Sequence, residues 1–210
     1  MNQKSGQNSL GLDACFEDEQ NPIDLFKKWF TVAEKSEIND PNALSLATAS
    51  ANGLPSVRMV LLKGLSDKGF VFYTNFNSKK GSELKENQKA SMCFHWKSLR
   101  RQVRAIGKVE QVSAKEADNY FNSRPYKNKI GAWASLQSKK LDNRETFLKK
   151  IKEFEVKYPD QNKVPRPPHW SGWRLLPDEI EFWLDGDGRI HERLNYRKNN
   201  GMWEKELLYP

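Results

Sequence analysis

The sequence predicts a mainly β fold with helical inserts, an α+β barrel built as one domain. Three observations predict it. Apolar residues alternate with polar or small ones in short runs, "ALSLATAS", "PSVRMVLLK", "FVFYTN", "ASMCFHW" and "RRQVRAIGKVEQV", and a period of two marks strands with one face buried. Turn signals such as "ANG" and "SDKG" separate consecutive runs at hairpin spacing. The chain has 210 residues and no internal repeat, enough for one domain with a substantial core. Closing such a meander removes its exposed edges, so a closed or nearly closed barrel is the economical architecture.

Residues 1–20, "MNQKSGQNSLGLDACFEDEQ", lack periodicity and read as a flexible N-terminal arm preceding a single domain over 21–210. Asn21 can cap a helix with Pro22 in its first turn, and Ile23, Leu25, Phe26, Trp29, Phe30 and Ala33 form its apolar stripe. That helix ends before "NDPNA". The five alternating runs follow, interrupted by helical inserts at 78–88, at 113–123 and at 141–158. Glu116, three residues after Ser113, completes a capping box at the start of the second insert. The proline-rich "VPRPPHW" delivers the chain to a last meander of "SGWRLLP", "EIEFWLD", "RIHERLNYR" and "MWEKELLY".

Composition narrows the function classes. Lys and Arg number 35 against 27 Asp and Glu, a net charge of +8 that suits phosphorylated ligands, nucleic acid or an anionic surface. Cys15 and Cys93 stand far apart without a CxxC or CxxH neighbourhood, so no disulfide framework or zinc site is expected, and a reducing cytoplasm is the expected location. No charged start with an apolar core precedes the domain, and no run approaches 18 apolar residues, so neither secretion nor membrane spanning is expected. The nucleotide-loop, zinc-protease and nucleophile-elbow motifs are absent from the sequence. His95, His169 and His191 lack ligand spacing, so no metal is expected.

Basic residues cluster instead. Arg58 and Lys63 fall on one expected strand, five apart and hence on opposite faces unless the strand bulges or a second subunit meets it. Lys79 and Lys80 open a helix, where free backbone N–H groups and the helix dipole favour a phosphate. The aromatics Phe70, Phe72, Tyr73, Phe94 and Trp96 could stack nucleic acid bases, but their alternating pattern buries them and no RNA-binding signature accompanies them. In "IEFWLDGDGRIHER", a glycine turn is followed by Arg189, His191 and Arg193. If extended, the segment places all three on one face.

Taken in order, "RMVLLKG", "GFVFYTNFNSKKGSEL", "RRQVRAIGKVE", "YFNSRP", "IGAWASLQS", "VPRPPHWSGWRLLPDEIEFWLDGDGRIHER" and the terminal "LLYP" resemble the pyridoxine (pyridoxamine) 5′-phosphate oxidase family from about residue 22 to the end. The resemblance implies an FMN-binding split β-barrel homodimer with two FMN at the subunit interface. It implies oxidation of pyridoxine or pyridoxamine 5′-phosphate to pyridoxal 5′-phosphate, in vitamin B6 metabolism, with O2 as electron acceptor and H2O2 as product.

By match of motifs, the resemblance assigns FMN contacts to Arg58, Met59, Val60, Leu61, Leu62 and Lys63, with Tyr73 and Thr74 beside the ring and its ribityl chain. It assigns FMN phosphate to Lys80, with Lys79 where relatives often carry Arg. Gln102, Gln137, Ser138, Trp183 and Arg193 complete the implied flavin site, several from the other subunit. For substrate phosphate it implies Lys63, Tyr120 and Arg124, with Asn128 where Ser is usual, and it sets Arg189 and His191 over the pyridine ring as the catalytic pair. The rival within the same fold is a non-catalytic FMN- or pyridoxal-phosphate-binding split-barrel protein. Arg124, Arg189 and His191 weigh against it, because a carrier needs no second phosphate site.

Overall fold

A computed structural model describes residues 6–210; the remainder of the expected arm, residues 1–5, lies outside the described residues. Helix α1 (Pro22–Ser36) starts as anticipated, with the Asn21 side chain accepting from the Ile23 N–H and Pro22 placed where no donor is needed. It buries Ile23, Leu25, Phe26, Trp29 and Ala33, while Phe30 stays half-buried. Phe26 is its deepest anchor, with Phe70, Phe94 and Trp96 around it at centroid distances of 4.9, 4.9 and 5.8 Å. Burying such a ring contributes about 1.5–3 kcal/mol, so α1 acts as the plug of the barrel.

The strands are β1 (Ala43–Ala49), β2 (Pro55–Leu61), β3 (Gly64–Ser66), β4 (Gly69–Asn75), β5 (Lys89–Trp96), β6 (Arg101–Gln111), β7 (Trp170–Leu184), β8 (Glu192–Asn199) and β9 (Met202–Leu207). They form one sheet in the order β2-β1-β5-β6-β7-β4-β3, with β8 branching from β7 and β9 following it. The anticipated strands "SGWRLLP" and "EIEFWLD" are one 15-residue strand. Its first part pairs with β4 and its last part with β8, while β6 accompanies nearly all of it. The β6–β7 register shifts between Ile106 and Gly107, leaving Asp178 as an extra residue that bends the sheet. Gly107 is required there, since a Cβ would lie 2.0 Å from the Leu176 carbonyl oxygen.

Between strands lie α2 (Lys79–Glu86), α3 (Ala114–Ser123), α4 (Tyr126–Ala134) and α5 (Arg144–Lys157). Helix α4 was not expected: no side chain caps its start and Gly131 sits within it, so local signals are weak and packing of Ile130 and Ala134 sustains it. The arm also departs from expectation where it is described. Phe16 is fully buried against the Trp29 ring, the Trp29 indole donates to the Cys15 carbonyl, and the Tyr196 hydroxyl donates to the Glu19 carbonyl. One aromatic anchor in a polar stretch creates no periodicity, which is why the sequence concealed this tether. Among the described residues no helix is long and apolar enough to cross a membrane, and no cluster of His, Cys, Asp and Glu could hold a metal ion.

Candidate active site

A cleft of about 840 Å³ opens between β2, β4 and the helical layer of α3 and α4. Strand β2 contributes Arg58, Met59, Val60 and Leu61, and Lys63 joins them. The opposite-face difficulty is resolved within one chain. Strand β2 stops at Leu61, the Leu62 side chain turns into the core, and the Lys63 N–H bonds the Val71 carbonyl as the chain enters β3. This interruption brings Lys63 to the cleft that Arg58 lines, and it leaves Leu62 packed in the hydrophobic core.

Tyr73 and Thr74 enter from β4. The Tyr73 ring stacks on Tyr120 of α3 at 4.0 Å and on Trp170 of β7 at 5.3 Å, making an aromatic wall. Space for that wall depends on Gly172, where a Cβ would lie 2.8 Å from the Tyr73 ring. Burial pushes the Tyr73 hydroxyl up to about 12, so it stays protonated and neutral at physiological pH.

Two of the cations lining this cleft, Lys80 and Arg124, are withdrawn from solvent and, among the described residues, form no ion pair with a carboxylate. Lys80, in the first turn of α2, is 8% exposed, and its ammonium donates to Gln137 Oε1 at 2.8 Å and Thr74 Oγ1 at 3.0 Å. Burial, helped by the nearby Arg58 charge, lowers its pKa to about 8. Arg124 closes α3, its guanidinium 4.7 Å over the Trp170 ring. Its Nη1 is buried with no hydrogen-bond partner among the described residues, and burial lowers its pKa. An unpaired buried charge is costly unless a ligand completes it. Asn128 of α4 lines the same mouth, as does Phe147 of α5. Lys79 and Ser138 line an adjoining pocket of about 380 Å³ that shares Arg58, Lys80 and Gln137 with the main cleft.

The remaining expected residues form a second group on another face of the chain. Gln102, Trp183 and Arg193 stand side by side across β6, β7 and β8, and His191 lies 4.7 Å from the Trp183 ring. Beneath them is Glu181, only 3% exposed, which accepts from Arg193 Nε at 2.8 Å and from Arg104. Burial alone would raise its pKa, but the bonds from Arg193 and Arg104 outweigh burial and hold it below its usual value. Arg193 Nη1 also donates to the Tyr209 carbonyl. The expected three-residue row is corrected here. Arg189 sits in a short 3₁₀ turn at φ 65°, and β8 begins only at Glu192, so Arg189 and His191 are turn residues that do not share a strand face with Arg193. None of this group lines the cleft of its own chain.

Sequence reasoning missed Trp170, Phe147, Glu83 and Glu181 as parts of these sites. Their patterns are those of ordinary core or helix residues, and only the fold sets them beside the cations.

The family described as pyridoxamine 5′-phosphate oxidase matches residues 30–158, most of the barrel and its helical layer. The chain belongs to this family. A second match, to the pyridoxine 5′-phosphate oxidase C-terminal dimerisation region, covers residues 170–210, the segment carrying β7, β8 and β9. A pyridoxine/pyridoxamine 5′-phosphate oxidase of Pelagibacter ubique is 61% identical over the full length of both chains, and one of Agrobacterium fabrum is 54% identical over 93% of this chain and 95% of its own. Among solved structures, PhzG from Burkholderia lata 383, in complex with tetrahydrophenazine-1-carboxylic acid, superposes with a TM-score of 0.88 at 31% identity, covering 98% of this chain and 100% of its own. A pyridoxamine 5′-phosphate oxidase-related, FMN binding protein from Nostoc punctiforme shares the fold, with a TM-score of 0.71 at 18% identity over 88% of this chain and 96% of its own. This member of the oxidase family is thus an oxidoreductase with a split-barrel fold and the family's dimerisation region.

Proposed function

We propose that this oxidoreductase holds FMN in the cleft and oxidises pyridoxine or pyridoxamine 5′-phosphate to pyridoxal 5′-phosphate, passing the electrons to O2 with release of H2O2 and, from the amine substrate, taking up water and releasing ammonia. The carrying observation is the pair of cations, Lys80, buried, and Arg124, half-buried, at one cleft, hydrogen-bonded or stacked on neutral and aromatic groups and, among the described residues, in no ion pair with a carboxylate. Two phosphate groups, one on cofactor and one on substrate, are what such a pair lacks. The donor set fits FMN: Lys80 with Lys79, Arg58 and Ser138 for its phosphate, Thr74 and Gln137 for polar chain groups, and the β2 residues with Tyr73 for the flat ring.

Bound FMN would supply two-electron redox chemistry, which the side chains of the protein cannot. The protein's own task is placement. Arg124, Lys63, Tyr120 and Asn128 would hold the substrate phosphate at the mouth, which fixes the distance of the substrate's reacting carbon from the cleft floor. Cations at that floor would stabilise negative charge developing on the cofactor ring. His191 and Arg189 reach no substrate within their own chain, and they would act on a cleft completed by a second copy. The family's dimerisation region includes both residues. A homodimer also accounts for Gln102, Trp183 and Arg193 standing apart from the cleft.

The test is purification in air, a visible spectrum, a measured mass in solution, and assay of pyridoxal 5′-phosphate formation from each substrate. A yellow dimer that converts either substrate with H2O2 release is expected. A colourless protein that fails to take up added FMN would overturn the reading, and flavin binding without turnover would favour the non-catalytic carrier.

A further inference from the structure

The two cations Arg58 and Lys80 line the same end of the cleft and share the adjoining pocket, an arrangement that like charges oppose. Among the described residues one carboxylate pairs with the cations of this corner, that of Glu83, with Arg58 at 3.2 Å and Lys79 at 3.9 Å. It belongs to α2, is 4% exposed and lines neither pocket. We propose that Glu83 is the positioning residue of this anion-binding corner: its carboxylate fixes Arg58 and supplies the counter-charge that lets Arg58 and Lys80 stand together before an anion arrives. The inference rests on the reading of this corner as the FMN-phosphate site.

The hydrogen bonds run in one direction toward Glu83. Arg58 Nη1 donates to Thr48 Oγ1 at 2.5 Å and Nη2 to Ser56 Oγ at 2.5 Å, and both hydroxyls donate on to Glu83 Oε2, at 2.5 and 2.7 Å. Nη2 also reaches Glu83 directly, and Nη1 is held by the Leu46 and Ser56 carbonyls. Each hydroxyl thus receives a proton from the cation and gives one to the anion, which strengthens both links. Burial alone would raise the Glu83 pKa, yet the Thr48 and Ser56 bonds and the Arg58 charge lower it, so the group is an anion at neutral pH.

The consequence falls on Lys80. Facing it are Arg58 from β2, Thr74 from β4, Ser78, Lys79 and Glu83 from α2, and Gln137 beyond α4, with Lys63 and Arg124 farther along the cleft. Burial and Arg58 push its pKa down to about 8, and among the described residues Glu83 is the charge that pushes it up. With Glu83 neutralised, Lys80 would lose its proton at lower pH, and its grip on an anion would end there too.

The experiment compares the full-length protein with Glu83→Gln, which keeps the shape and removes the charge. In the cofactor-free protein, NMR of carbon-13-labelled lysine, with the Lys80 signal assigned through Lys80→Arg, reads the titration directly. In parallel, affinities for FMN and for riboflavin, which lacks the phosphate, are measured from pH 6 to 10. Expected is a Lys80 midpoint lowered by about one pH unit in Glu83→Gln, with the high-pH fall in FMN affinity displaced equally and riboflavin affinity showing no such displacement. A uniform loss of affinity with an unmoved midpoint would show a merely structural Glu83 and overturn the proposal. Should Glu83→Gln not fold, Arg58→Met serves: removing the competing cation must raise the Lys80 midpoint, and an unchanged one overturns the proposal. A wild-type protein that binds no FMN would sink the cofactor reading, while the NMR midpoint still decides the role of Glu83.

Discussion

Replacing Lys80 by Met should make the cofactor-free protein more stable while weakening its hold on FMN. Lys80 is 8% exposed, and its pKa falls from the usual 10.5 to about 8 because burial disfavours the charged form. At 1.36 kcal/mol per pH unit, that lowering means the charged ammonium costs the fold roughly 3 kcal/mol at pH 7. Met removes the cost and also removes the bonds to Thr74 and Gln137, worth about 1 kcal/mol each after exchange with water. Thr74 and Gln137 still have each other at 3.3 Å, so the net gain is about 1 kcal/mol. The pH dependence has a definite sign. A base with a depressed folded pKa is more protonated in the unfolded chain between about 8 and 10.5, so wild-type stability rises across that window. In Lys80→Met this rise is missing. Urea denaturation of both cofactor-free proteins at pH 7 and pH 10, at one fixed chain concentration, reads the gain and its disappearance. The FMN affinity of the same variant should drop by about 1.5–3 kcal/mol, the worth of a charge-assisted phosphate contact. A variant no more stable than wild type at pH 7, with the same pH slope, would refute the reasoning that Lys80 is a cation held at a cost for a ligand.

Gly172→Ala should push the Tyr73 ring off its stack, since the new methyl would sit 2.8 Å from it; we expect a raised KM for the phosphorylated substrate and a stability loss of about 1–3 kcal/mol, and an unchanged KM would remove Tyr73 from the substrate wall. Phe16→Ala should cost about 3–5 kcal/mol in chemical denaturation, because Phe16 is fully buried against Trp29, and a cost below about 1 kcal/mol would show that the arm is not anchored. Arg193→Ala should lose flavin on gel filtration. Arg189→Ala, exposed in its turn, should keep flavin yet lose at least about tenfold in kcat/KM, and normal turnover by that variant would return Arg189 to the solvated surface.

Much of the barrel was legible because its signals are local. The Asn21 cap, the α1 stripe and the alternation in "ALSLATAS" each fix an element within a few residues. What stayed hidden depends on distant partners. The break after Leu61 that turns Lys63 into the cleft shows as a continuous apolar run in "RMVLLK", and the 15-residue strand β7 hides behind Pro177, which reads as a turn but sits at a bulge. Arg58, Lys80 and Arg124 could be named from motif, but their counter-ions could not. Whether a buried cation has a carboxylate beneath it, as Arg58 has Glu83, or none, as at Lys80 and Arg124, is decided by elements far apart in sequence.

The long strand β7 also sets a timetable for synthesis. It is the neighbour of both β4 and β6, yet Trp170 leaves the ribosome nearly a hundred residues after Asn75, the last residue of β4. At roughly 5–20 residues per second, β4 waits on the order of 5–20 s with the edge that β7 will pair still open. Two further tethers of the first segment come later still, since Glu192, which accepts from the Asp13 N–H, and Tyr196 lie within the last twenty residues. Nascent chains of this protein therefore carry β4 with one edge unpaired for close to half of translation, and a stop codon that removes only the final hairpin also cuts two of the bonds that tie down the opposite end of the chain.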